Sequence, residues 1–143
     1  MTVATILKDK GANIISASPN DTLSDICTIL GERRIGAVMV LNPDESIAGI
    51  VSERDVVGAI SREGAAVLER SVADFMTRNV VTCKSEDSIN DVMSKMTTGR
   101  FRHVPVLDDG KLIGLISIGD VIKERIVQAE RDAEEMRSYI SMA

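Results

Sequence analysis

Polar and apolar positions along this chain change period several times, and they do so twice in the same order. Leu23, Ile26, Ile29 and Leu30 recur at steps of three, three and one, the spacing of one buried helical face, and Ile89, Val92, Met93 and Met96 repeat it further along. Ahead of each helical stretch lies a short apolar run, residues 13–17 and 80–83, that reads as a strand. An aspartate follows each run, Asp21 or Asp87, placed to cap the helix. Behind each helix come two β-branched runs about a turn, residues 37–41 and 47–52 around Asn-Pro-Asp, then 104–107 and 112–117 around Asp-Asp-Gly. Each pair predicts a hairpin. A second helix is expected from Asp55 in one copy and Asp120 in the other, so each unit reads β-α-β-β-α.

The two units align residue by residue. SPNDTLSDI, from Ser18, falls on KSEDSINDV, from Lys84, and the register holds through Ala37-Val38-Met39-Val40-Leu41 against His103-Val104-Pro105-Val106-Leu107. It slips by one where the turn NPDES is longer than DDGK, and GIVSERDV, from Gly49, then matches GLISIGDV, from Gly114. VATIL at Val3 echoes VADFM at Val72. A unit this small buries too little surface by itself, so two are expected to pack sheet to sheet about a pseudo-two-fold axis in an α+β fold. The expected organisation is a first repeat at 1–70 that includes a helical linker over 59–71, a second repeat at 71–125, and an extended C-terminal helix at 126–143. In that last helix Ile122, Ile126, Ala129, Ala133, Met136 and Ile140 step by four and three, a heptad seam with charged residues between its members.

Composition narrows the function. The 143 residues carry a net charge of -5 and only 2% aromatics, with no Trp, so the core is aliphatic and neither a phosphate-neutralising surface nor a base-stacking platform is expected. No apolar run is long enough to span a membrane and no secretory pattern opens the chain, which predicts a cytoplasmic protein. Cys27 and Cys83 read as two reduced thiols. The single histidine, His103, has no zinc-ligand spacing and no paired nucleophile and orienting acid, so neither a metal site nor an enzyme is expected.

The pattern Gly, two branched apolar residues, Ser, two variable positions and Asp, placed after a hairpin and preceded in the second copy by RHVPVLDDGKLIG, resembles the CBS domain. Two in tandem resemble a CBS pair, or Bateman module, over about residues 3 to 125. The resemblance implies a regulatory module that binds an adenosine-containing ligand in clefts between the halves: AMP first, with ADP, ATP, NAD(H) or S-adenosylmethionine as others. By that resemblance Asp55 and Asp120 read the ribose diol, with Ser52 and Ser117 offering hydroxyls beside them; the same four residues can equally cap helices. The adenine slots fall at Ile15 with Ile35 and Gly36, and at Thr77, Val81 and Phe101, positions that also suit plain core. Arg102 and His103 are the phosphate candidates, with Arg54 next. Gly36 and Ala37 stand where Arg102 and His103 do, Gly119 where Arg54 does, and Met39 where Pro105 does, which implies inequivalent sites. Arg33 and Arg34 read as a solvated helix end. The resemblance further implies a homodimer, to which the C-terminal helix contributes, and an unidentified regulated protein. The alternative is a protein-interaction module whose nucleotide sites are not functional.

Overall fold

The computed structural model describes residues 1–11 and 13–142. Along the chain run α1 (Val3–Lys10), β1 (Ser16–Ala17), α2 (Leu23–Arg33), β2 (Ala37–Leu41), β3 (Ile47–Ser52) and α3 (Glu53–Glu63). Two 3-10 segments, Ala65–Glu69 and Val72–Asp74, lead to α4 (Ile89–Gly99), β4 (His103–Asp108), β5 (Lys111–Ser117) and α5 (Ile118–Met142). The fold is α+β, and both hairpins form where the alternation placed them. Each carries a register shift at the same repeat position, between Val40 and Leu41 and between Val106 and Leu107. The second turn has Asp109 and Gly110 both at positive φ, 50° and 77°, as a tight two-residue hairpin requires.

Four expectations shift. The strand at 13–17 shortens to Ser16–Ala17, parallel to β2, and the one at 80–83 reduces to a single bridge between Cys83 and Val106. Pro105 explains the asymmetry: the backbone N–H of Met39 donates to Ile15 O at 3.4 Å, and proline at the aligned position has no N–H to give Val81. The first helix of each unit is capped one residue later than expected. Thr22 and Ser88 accept from the N–H of Asp25 and Asp91, while Asp21 and Asp87 accept from the N–H of Ser18 and Lys84 in the turn before. The second helices begin two residues ahead of their aspartates, which sit at the third helical position, and the stretch 59–71 is helical in pieces, with α3 ending at Gly64 (φ 85°).

Core packing does not follow chain order. Val3 and Ile6 of α1 lie in the core of the second hairpin, among Ile89, Val92, Val104, Val106 and Ile116. Val67, Val72 and Met76 lie in the core of the first, with Leu23, Ile26, Val38, Val40 and Val51. Each half is therefore completed by residues from across the boundary at 70/71, Val72 and Met76 in the first and Val3 and Ile6 in the second. Antiparallel bridges secure the exchange: Thr22 to Ser71 in one half, Thr2 to Ser88 in the other, and Ile50 to Thr77, whose backbones trade hydrogen bonds of 3.0 and 2.8 Å.

The glycine that opens each copy of the repeated octapeptide makes this docking possible. A Cβ on Gly49 would stand 2.7 Å from Thr77 O and 2.8 Å from the Met76 side chain; one on Gly114 would stand 2.5 Å from Leu7 Cδ2. Gly49→Ala should therefore destabilise the protein by about 1 to 3 kcal/mol, the usual cost of overpacking. Gly114→Ala should cost less, because the leucine tip can swing away where a backbone carbonyl cannot. Denaturant unfolding of the two variants checks the order.

Candidate functional site

Two clefts lie between the halves, and each draws on both. The first, about 490 Å³, is walled on one side by Gly36, just ahead of β2, and by Ile50, Ser52, Glu53, Arg54 and Asp55 from the end of β3 and the start of α3. Its other wall comes from Thr77, residues 79 to 81 and residues 99 to 103 of the second unit. The second cleft, about 360 Å³, sets Ile15, Ile35 and Gly36 against Leu115, Ser117 and Lys10.

The candidates thus group across the repeats. Thr77, Val81, Phe101, Arg102 and His103 of the second unit share the first cleft with Ser52, Arg54 and Asp55 of the first unit, while Ile15 and Ile35 face Ser117. Gly36 and His103 line both clefts and touch: His103 Nε2 and Glu53 Oε1 each lie 3.0 Å from where a Cβ on Gly36 would be. Arg34, expected at a solvated helix end, is exposed and also lines the second cleft.

Local sequence explains the serine and aspartate. Ser52 is the N-cap of α3 and accepts from Asp55 N–H at 3.2 Å, and Asp55 Oδ2 accepts from Ser52 N–H at 2.9 Å. Ser117 and Asp120 repeat the pair at 3.2 and 2.8 Å. In both copies the cap engages Oδ2, and Oδ1 makes no hydrogen bond with the described residues. Capping therefore leaves one carboxylate oxygen of each aspartate for other work.

The copies differ in one contact that sequence reasoning missed. Lys10 Nζ donates to Asp120 Oδ2 at 2.7 Å and to Leu115 O at 2.8 Å, so an ammonium stands between the second cleft and its aspartate. Residues 8–13 occupy the place of 77–79 in the other copy, so Lys10, the last residue of α1, lies in a stretch three residues longer than its counterpart, to which the repeat assigns no role. Burial raises the Asp120 carboxyl, but hydrogen bonds from Lys10 and Ser117, with the Lys10 charge, outweigh it and hold its pKa below the ordinary value. Burial, aided by Lys10 and Arg102 against Glu53 and Asp120, pushes His103 below its usual range. The buried Cys83 thiol is pushed up to about 11, chiefly by burial, which suits an inert core thiol. Among the described residues no helix is long and apolar enough to cross a membrane, and no cluster of three His, Cys, Asp or Glu is set to hold a metal.

Comparison with known proteins finds the CBS domain family matching residues 6–62 and again 72–126. Over 147 residues the chain is 30% identical to the CBS domain-containing protein CBSX3, mitochondrial, of Arabidopsis thaliana, covering 97% of this chain and 71% of that protein. It spans only 24% of three longer CBS proteins of the same plant. Among solved structures, a CBS-domain protein from Agrobacterium tumefaciens superposes with TM-score 0.86 at 42% identity, covering 87% of this chain and 99% of that one. A CBS domain protein from Pyrobaculum aerophilum complexed with AMP shares the fold, with TM-score 0.79 at 24% identity over 91% of this chain and 97% of that one.

Lys10 and Asp120 supply a pH test. A carboxyl whose pKa is lower in the folded than in the unfolded state contributes stability that is present above the unfolded value, near 3.9, and is lost as pH falls through the folded one. Wild type should thus lose this contribution in acid, and Lys10→Ala should lose most of it at neutral pH. With Lys10 40% and Asp120 24% exposed, solvent screening limits the effect to about 0.5 kcal/mol. Melting temperatures of both proteins from pH 7 down to pH 3 should converge at the acid end.

Proposed function

This chain belongs to the CBS-domain family and carries two such domains in tandem, and from that premise we propose that it is a regulatory module holding an adenosine-containing ligand between its halves. The observation that carries the reading is the first cleft. It joins an apolar slot, a carboxylate with one oxygen uncommitted and a set of guanidinium groups in one cavity. Adenine enters between Thr77, Val81 and Phe101. Asp55 Oδ1 accepts from the ribose diol beside Ser52, and Arg54, Arg102 and His103 meet the 5′-phosphate. The AMP complex of the Pyrobaculum protein supports a ligand of this class.

In the second cleft Ile15, Ile35 and Gly36 form the corresponding slot, with Ser117 and Asp120 as ribose readers. There the Lys10 ammonium already pairs with the Asp120 carboxylate through Oδ2 and draws on its charge, so the second cleft is the weaker site. Ligand binding signals by favouring one conformation over another, which requires only different affinities for the two. No residue is assigned a catalytic role.

The module works as a homodimer through α5. Beyond its first turns this helix is exposed, and Ile122, Ile126, Met136 and Ile140 are 47%, 53%, 62% and 69% accessible along one heptad seam. Small Ala129 and Ala133 between them leave room for a second helix to approach.

Two measurements test the reading. Thermal unfolding with AMP, ADP, ATP, NAD or S-adenosylmethionine should show stabilisation by at least one of them, worth about 2.7 kcal/mol at a hundred times its dissociation constant. Asp55→Asn, which keeps an oxygen for the cap, should weaken binding by about 1 to 3 kcal/mol. No shift with any ligand, from protein confirmed ligand-free, would leave the interaction-module alternative standing. For the dimer, truncation after Arg125 should halve the mass seen by solution scattering; an unchanged mass would remove α5 from the interface.

A further inference from the structure

The first cleft does not end at its phosphate wall. A second hollow of about 300 Å³ adjoins it and shares Arg54, Arg100, Phe101 and Arg102, with Met96, Thr97 and Ile118 completing the lining. Glu53 and Asp55 line the cleft and not this annex, so three guanidinium groups meet there with no carboxylate in the wall. Resting on the nucleotide reading above, we propose that the first cleft selects an adenosine carrying a pyrophosphate or longer 5′ chain over a monophosphate, with the annex taking the phosphoryl groups beyond the first.

Charge argues for the longer chain. Arg54, Arg100 and Arg102 form no ion pair and no side-chain hydrogen bond with the described residues, and guanidinium stays charged at any physiological pH. Three like charges about one hollow repel one another until an anion enters. A monophosphate brings a charge of about −2 and three oxygens, and each further phosphoryl group adds roughly one charge and more acceptors for bidentate pairing.

The duplicated sequence provides an internal control. Arg100 has a basic counterpart in Arg34, but Arg54 and Arg102 align with Gly119 and Gly36. The second cleft therefore lacks two of the three groups. Phe101 lines both cleft and annex, and its ring packs so closely on Gly99 that a Cβ there would collide with it.

Titration calorimetry at one ionic strength, without divalent metal, should find ADP and ATP binding about tenfold or more tighter than AMP. NAD is the arm that separates sources: tight binding assigns the annex to a pyrophosphate, and weak binding with tight ADP assigns it to a free terminal phosphate. Arg54→Gln and Arg100→Gly should each shrink the ADP-to-AMP affinity ratio at least threefold, and glycine adopts the φ of 58° at position 100 without strain. AMP binding as tightly as ADP and ATP, or a ratio untouched in both variants, would overturn the selection while leaving the nucleotide reading intact. Absence of binding by every adenosine ligand would instead overturn that reading.

Discussion

Each half of this molecule is finished by a segment that the chain places beyond it, and that exchange governs the rest of the structure. A two- or three-stranded sheet with one or two helices buries too little apolar surface to stand alone. Here α1 fills the second core and residues 72 to 76 help fill the first, so separating the halves would open both cores at once. The close approach has a definite requirement, a residue without a side chain at Gly49 and at Gly114. The glycine of the repeated octapeptide serves packing, and the serine and aspartate of the same octapeptide serve the helix start.

The exchange also sets the clefts. The bridge between Ile50 and Thr77 that docks the covering segment on β3 brings Thr77 to the mouth of the first cleft, opposite Asp55. In the other half the segment arrives as a full helix, and its last residue is Lys10, whose ammonium reaches Asp120 and Leu115 O. One constraint, met by a 3-10 turn on one side and a helix on the other, yields one aspartate free of any cation among the described residues and one paired with a lysine. The clefts are inequivalent because the covering segments differ in length, before any difference among the arginines is considered.

Much of this was legible in the sequence, and the rest was hidden for physical reasons. Both hairpins could be read because alternation and turn chemistry are local, and the repeat itself located the serines and aspartates. The strand at 80–83 could not be rejected from its own residues, since the missing donor belongs to Pro105, more than twenty positions away. Asp21 and Asp87 are good caps by type, yet Thr22 and Ser88 hold the position because the aspartates already accept from the turn before. The echo of VATIL in VADFM identified equivalent segments without saying which core each fills. Lys10 stood outside the alignment altogether.

On the proposed reading, the dual use of the capping aspartate has a consequence for signalling. In each copy one carboxylate oxygen holds the helix start and the other is uncommitted, so a ligand that engages Oδ1 acts on the first turn of the helix it meets. For Asp55 that helix is α3, which ends after 11 residues at Gly64. For Asp120 it is α5, which runs 25 residues, roughly 37 Å, and carries its exposed apolar seam outward from the cleft. A change at the first turn of a continuous helix is carried as rigid rotation or tilt, and small angles become displacements of several ångströms at its far end. Lys10 pairs with the aspartate at the start of that long helix, whereas the first cleft, with the richer set of cations, opens on the shorter α3.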